Sequence, residues 1–255
     1  MRFAYLGSGS RGNAAVVESG DTRILLDCGF TLRETEARLA RLGLDADALS
    51  GVLLTHEHSD HMSGIGPLAR QYGVPVWMTR GTRRAIENRA GTLPDVRHFD
   101  PHESFEIGDL QLHPFPVPHD ALEPAQFVFS DGDVRLGILT DIGRPTAHVE
   151  SMLSGCDALA LECNHDRAML ARGPYPQSLK TRIGGGEGHL DNNSAAELLE
   201  RIDSTRLQHL IAVHLSETNN LPTLAQAALA GALGCGADFV QVADQEAGLS
   251  WQGIS

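Results

Sequence analysis

The segment Thr55-His56-Glu57-His58-Ser59-Asp60-His61 follows directly on the apolar run Val52-Leu53-Leu54. Three histidines and one aspartate fall within six positions at the end of what reads as a buried strand. On an extended segment, residues i and i+2 point the same way, so His56 and His58 can ligate one metal ion together. The chain then turns, which places Asp60 and His61 to serve a second ion nearby. Imidazole suits zinc, iron and manganese, and a carboxylate adds affinity for harder ions.

Outward from this segment the chain alternates strands and helices. Phe3–Leu6, Ala14–Glu18 and Arg23–Asp27 read as strands, with Gly20-Asp21 at a bend and a turn over Gly7–Gly12. Thr31 to Leu42 suits a surface helix capped by Thr31. Gly51–Thr55 reads as a buried strand, followed by a helix from Ser63 to Tyr72, a strand Pro75–Met78 and a helix Thr82–Arg89. The middle is β-rich: Ser104–Ile107, Leu110–Phe115, Gln126–Ser130 and Val134–Thr140. A helix Pro145–Leu153 leads into a strand Ala158–Glu162. Asn193–Ile202 and Leu224–Leu233 read as amphipathic helices around a strand Leu210–Val213. Two similar halves of this kind suggest two sheets back to back, with helices on the outer faces. No linker or low-complexity stretch divides residues 1–255, which reads as a single domain.

Three further residues stand at strand ends, where open sheets commonly place their chemistry. His119 lies in Pro116-Val117-Pro118-His119-Asp120-Ala121, Asp141 follows Thr140, and His214 follows Val213. Each is weak alone. In order behind the 56–61 segment, they complete a pattern that resembles the metallo-β-lactamase superfamily and its His-x-His-x-Asp-His signature. The resemblance implies an α/β fold, a four-layer αββα sandwich. It also implies a ligand set in which His56, His58 and His119 hold one metal, Asp60, His61 and His214 hold the other, and Asp141 bridges the two.

The resemblance narrows to the YycJ/WalJ-type branch. It is carried by Leu6-Gly7-Ser8-Gly9-Ser10-Arg11-Gly12-Asn13, Leu26-Asp27-Cys28-Gly29, the His-Asp-Ala at 119–121, Thr140-Asp141-Ile142-Gly143 and Glu162-Cys163-Asn164-His165-Asp166. Tyr175 to Ile183, Gly188-His189-Leu190 and His214 to Asn220 extend it over nearly the whole chain. One departure is Asp191, where the branch usually carries Ser; an extra carboxylate there either repels a phosphate or faces solvent. Membership implies a metal-dependent nuclease, with 5′-to-3′ DNA exonuclease activity the leading expectation. A hydroxide shared by two divalent ions (zinc or manganese, or iron) would attack phosphorus in line, with Asp60 and Asp141 in the catalytic centre. RNA or a small cyclic phosphodiester is the nearest alternative substrate. A thioester or lactone is another, which an apolar acyl-binding groove would favour. No stretch is left over for a β-CASP insertion.

A leaving-group acid or further phosphate contact is still needed. His189 and His165 are the candidates, and His165 alternatively supports a ligand by hydrogen bonding. Asp27 is, by analogy, a support for a ligand histidine, or else a turn-forming Asp. Ser10 and Asn13 of the Gly-rich turn, together with Asn192, are candidate substrate contacts; the turn lacks the Gly-Lys-Ser/Thr of a phosphate-binding loop.

Composition sets a limit on DNA as partner. The 255 residues carry 20 Lys+Arg against 33 Asp+Glu, a net charge of −13, which argues against a broad basic face for nucleic acid. Two divalent ions would offset four of those charges. The basic residues are also clustered: Arg167, Arg172, Lys180 and Arg182 fall in the stretch from Arg167 to Gly186, which holds no Asp or Glu. That stretch is the expected resting place for phosphates, with Arg172, Lys180 and Arg182 as contacts, or else a solvated basic loop. The four cysteines are widely spaced, with no Cys-x-x-Cys. No signal peptide and no membrane span is evident, so a cytoplasmic location with reduced thiols is expected.

Overall fold

Two seven-stranded sheets frame the computed structural model, which describes residues 1–255. The first contains β1 (Arg2–Gly7), β2 (Ala14–Ser19), β3 (Thr22–Leu26), β4 (Gly51–Leu53), β5 (Val76–Met78) and β6 (Val96–His98). The second contains β7 (Phe105–Ile107), β8 (Leu110–Pro116), β9 (Ala125–Ser130), β10 (Arg135–Leu139), β11 (Ala158–Glu162), β12 (His209–Val213) and β13 (Val240–Val242). A last strand, β14 (Leu249–Gly253), returns to the first sheet and pairs antiparallel with β1. The orders are β14-β1-β2-β3-β4-β5-β6 and β13-β12-β11-β10-β9-β8-β7.

Nine helices cover the outer faces or build the rim: α1 (Leu32–Arg41), α2 (Ser59–Met62), α3 (Ile65–Tyr72), α4 (Arg80–Ile86), α5 (Ala147–Leu153), α6 (Arg167–Arg172), α7 (Gln177–Ile183), α8 (Asn192–Arg201) and α9 (Pro222–Leu233). Alternation along the strands explains the layering. Ile24, Leu53 and Ile211 face the space between the sheets, where they meet Phe3, Phe127 and Phe129. Leu25, Val52 and Leu54 face outward onto Leu39 of α1, Leu68 of α3 and Ile86 of α4. On the other side, Leu139, Leu161 and Leu210 pack against Leu153 of α5, Leu198 of α8 and Leu229 of α9. Both faces of the central strands are therefore apolar, which is why they read as continuous hydrophobic runs. Full burial of each such side chain contributes about 1.5–3 kcal/mol. The result is the four-layer αββα sandwich expected from the sequence.

Some details differ from the sequence reading. The chain from Ser59 to Met62 forms a helical turn of its own before α3 begins at Ile65. α4 starts at Arg80, because the Thr79 hydroxyl accepts from the Thr82 amide and caps the helix there. The basic stretch after Asp166 is no loop: it folds into α6, capped by Asp166, and α7, which opens after Pro176.

The sheet order carries the functional consequence. In each sheet the strands pair antiparallel on one side and parallel on the other. β1, β3 and β4 run one way in the first sheet, and β8, β10, β11 and β12 run one way in the second. Their carboxyl ends gather at one edge of the sandwich.

Candidate metal centre

Each of those strand ends delivers a side chain to the same place. β3 leads to Asp27, β4 to the 56–61 segment, β8 to His119, β10 to Asp141 and β12 to His214, while β11 ends in Glu162. Only three non-glycine residues have a left-handed backbone, and all three are in this set: Asp27 (φ 60°), Asp141 (φ 50°) and His214 (φ 57°). The reversal turns each side chain out of the sheet and across the edge. Such conformations cost on the order of 1–3 kcal/mol each and concentrate at functional sites.

The donor atoms form overlapping groups. Those of His56, His58 and His119 lie within 4.8 Å of one another, as do those of Asp60, His61 and His214. His119 Nε2 is 3.2 Å from His58 Nδ1. Asp60 Oδ2 is 3.3 Å from His61 Nε2 and 3.4 Å from His214 Nε2. Asp141 spans the two groups, with Oδ2 3.1 Å from His61 Nε2 and Oδ1 3.8 Å from His119 Nε2. The structure thus brings together all seven residues that the sequence marked as ligands. His56 Nε2 is buried and has no hydrogen-bond partner in the protein. Burial pushes the His56 imidazole well below its usual range, so it is neutral and this nitrogen is free to ligate. An unpartnered lone pair surrounded by hard and borderline donors fits a divalent cation.

Behind the donors, protein groups fix the rings. Asp27 Oδ2 is 2.8 Å from His61 Nδ1, and Asp27 also accepts from the Thr55 amide and hydroxyl. The Thr55 hydroxyl proton is committed to Asp27, so His56 Nδ1 donates to that oxygen at 2.9 Å. His119 Nδ1 donates to Gly188 O at 3.0 Å. Glu162 Oε1 accepts from His214 Nδ1 at 2.9 Å and from His189 Nδ1 at 2.8 Å. Each bond occupies Nδ1 and leaves Nε2 for the cleft, an arrangement that sets tautomer and raises basicity.

Burial opposes charge throughout the cluster, and the neighbours decide the outcome. Asp141 is held well below the carboxylate range, against burial, by His214 and His61. His61 is raised well above the histidine range, against burial, by Asp141, Asp60 and Asp27. His214 is pushed up to about 10, against burial, by Asp141, Asp60 and Glu162. Burial would raise Glu162, but His189 and His214 bring it down to about 2. Imidazolium protons therefore balance the buried carboxylates, and divalent cations would take their place.

The remaining candidates divide. Ser10, His189 and Arg182 line the cleft, which has a volume of about 410 Å³. Asn13 stands beneath it: its amide nitrogen donates to Gly9 O and Asp60 Oδ2, so it positions a donor. Arg182 is paired with Asp120 at 2.5 Å. Lys180 turns away and donates to Ala171 O, and Arg172 lies outside the cleft lining at the end of α6. His165 also lies outside the lining; it is 2% exposed, and its carbonyl accepts from the Asn192 amide. Asn192 is 3% exposed, and its carboxamide is used in both directions by Asn220. His165 and Asn192 therefore hold the 189–192 segment in place and are not positioned to touch a substrate. Asp191 neither faces the cleft nor repels anything in it. It caps α8 by accepting from the Asn193 and Ser194 amides, and it pairs with Arg167. Ser and Asp are both strong caps, which explains the exchange at this position.

Four residues with a place in the site carried no role in the sequence reading. Glu162 closes an apolar strand with a carboxylate, the same signal that marks Asp141. Asp120 lies 3.6 Å from both His58 Nε2 and His119 Nε2, between the donors and Arg182. Arg89 and Tyr175 line the cleft from α4's trailing turn and the entry to α7.

Known proteins share this architecture. A family model described as a beta-lactamase superfamily domain matches residues 22–215. Exodeoxyribonuclease YycJ of Bacillus anthracis is 36% identical over 89% of this chain and 86% of its own. Exodeoxyribonuclease WalJ of Streptococcus pneumoniae is 32% identical over 94% of this chain and 92% of its own. Among solved structures, the metallo-beta-lactamase fold protein YhfI from Bacillus subtilis superposes with a TM-score of 0.75 over 99% of both chains, at 18% identity. The fold, the strand-end donors and the match along most of both relatives' lengths agree: the chain belongs to the metallo-β-lactamase superfamily, in the branch that contains YycJ and WalJ.

Proposed function

We propose that this protein is a metal-dependent phosphodiesterase that removes nucleotides from DNA ends in the 5′-to-3′ direction, acting as one domain over residues 1–255. The observation that carries this reading is the joined pair of donor groups, His56-His58-His119 and Asp60-His61-His214, with Asp141 between them. The names of the two relatives, both exodeoxyribonucleases, support the choice of substrate. Two divalent ions held there would supply Lewis-acid stabilisation of phosphoryl charge and acidify a water enough to ionise near neutral pH.

The protein's own groups do the rest. His189 stands between His119 and His214, with ring centroids 5.3 and 5.1 Å away. Glu162 holds its Nδ1 and, with Asp141, raises its proton affinity against burial. His189 therefore protonates the leaving oxygen from Nε2. Arg89 meets the phosphates at the rim, because its guanidinium donates only to Glu57 O and no carboxylate neutralises it. Contact with DNA is confined to this cleft, in keeping with the net charge of −13. No helix is long and apolar enough to cross a membrane.

End-labelled DNA, RNA and a cyclic phosphodiester, each tested with manganese, zinc or iron, check the reading. Stepwise release of nucleotides from DNA 5′ ends is expected, abolished by chelation. Cleavage of RNA alone would reassign the substrate. Thioester hydrolysis without any nucleic acid cleavage would reject the phosphodiesterase reading.

A further inference from the structure

One wall of the cleft is apolar, and the donor set makes no use of it. Tyr175, Leu179 and Ile183 form this wall, each half-buried. Leu179 and Ile183 are one turn apart on α7, and Tyr175 stands four residues earlier, just ahead of Pro176. Leu179 and Ile183, four residues apart, share one side of α7, and Tyr175 lines the same cleft ahead of the helix. α7 has no fully buried residue, so this face does not serve a core. Two arginines share the cleft with it: Arg89, with no carboxylate partner, and Arg182, which precedes Ile183 and is paired with Asp120.

We propose that this wall stacks the base of the terminal nucleotide while its phosphodiester lies over the donor groups. The proposal rests on the phosphodiesterase reading and adds the feature by which that substrate is seated. A nucleobase offers a flat apolar face directly joined to an anion, and the cleft offers a short apolar wall directly joined to arginines and cation donors. A fatty acyl chain needs a longer apolar groove and has no use for the arginines. Stacking on aromatic side chains tolerates any base, which suits an enzyme that must accept every terminal nucleotide. Its loss costs roughly 10-fold in binding per base.

The test pairs a substrate change with a protein change. DNA strands ending in a normal or an abasic nucleotide are given to the metal-loaded wild type, Tyr175→Ala and Tyr175→Phe. The wild type is expected to favour the base-containing end about 10-fold in kcat/KM. Tyr175→Ala collapses that preference toward unity, and Tyr175→Phe retains it. In a parallel binding measurement, terminal 2-aminopurine is quenched by the wild type and by Tyr175→Phe, and much less by Tyr175→Ala. A wild type that cleaves DNA with a preference identical to that of Tyr175→Ala, or equal quenching by all three proteins, overturns the proposal and leaves the phosphodiesterase reading standing. A wild type that cleaves no nucleic acid overturns both. Hydrolysis of long-chain thioesters that depends on Tyr175 would give the wall to an acyl chain.

Discussion

The two sheets supply their halves of the centre in different ways. The first concentrates four ligands in one segment, 56–61, shaped by a local helical turn in which the His61 amide donates to His58 O. The second scatters its share over His119, Asp141, Glu162, His189 and His214, each brought in by a separate strand or loop. Their alignment depends on pairing across β10, β11 and β12, where Leu139 meets Leu161 and Glu162 meets Val213. One half of the site is thus encoded locally, and the other by sheet register. The supports follow the same division, with Asp27 behind the local half and Glu162 behind the scattered half.

Asp141 joins the halves, so its loss should have the largest effect. Asp141→Ala is expected to lower turnover by more than about 10³-fold, the upper end for loss of one stabilising group, with the far-ultraviolet spectrum unchanged. Full activity in that variant with metal bound would remove the junction. Next come the supports. Asp27→Asn and Glu162→Gln should each weaken metal binding by roughly 10- to 100-fold in chelator competition. The two losses should be similar, because each carboxylate fixes one ligand imidazole directly, His61 or His214. Only Glu162→Gln should also slow turnover at saturating metal, because it alone holds His189, and unchanged turnover there would remove that difference between the halves.

Metal uptake should also depend on pH in a known direction. His214, pushed to about 10, and His61, raised well above its usual range, are protonated at neutral pH. Ligation displaces those protons, so affinity rises with pH by about one decade per unit for each proton displaced. Calorimetry in buffers of different ionisation enthalpy would read proton release, and uptake of protons would contradict the assignment. The smallest effect concerns Asp191, away from the donors. Asp191→Ala should cost about 1 kcal/mol by loss of the α8 cap, and Asp191→Ser only a few tenths, measured by denaturant unfolding.

The same division governs what the sequence made legible. The 56–61 segment declares itself, because its geometry is set within a few residues. His119, Asp141 and His214 are legible only in order behind it. Glu162 ends an apolar strand as Asp141 does, but its partner histidines are 27 and 52 residues away, so no local pattern marks it. The layers follow from hydrophobic patterning, whereas the pairing of β14 with β1 joins the two ends of the chain and has no local signal. His165 and Asn192 sit in motifs that look catalytic, but burial and pairing with neighbouring segments commit them to holding the chain. The charges of the basic stretch are plain in the sequence, whereas only its folding brings Tyr175, Leu179 and Ile183 to the cleft.

The three left-handed residues make the centre a tax on the fold. Glycine would relieve the backbone at positions 27, 141 and 214, yet it would delete a support, the junction and a ligand. Random change at these positions therefore exchanges backbone strain for buried partners left unpaired, His61 or Glu162 among them. The strained conformations and the charge pairs they carry thus stand or fall together, and a divalent cation held by the donors would stabilise the folded chain further.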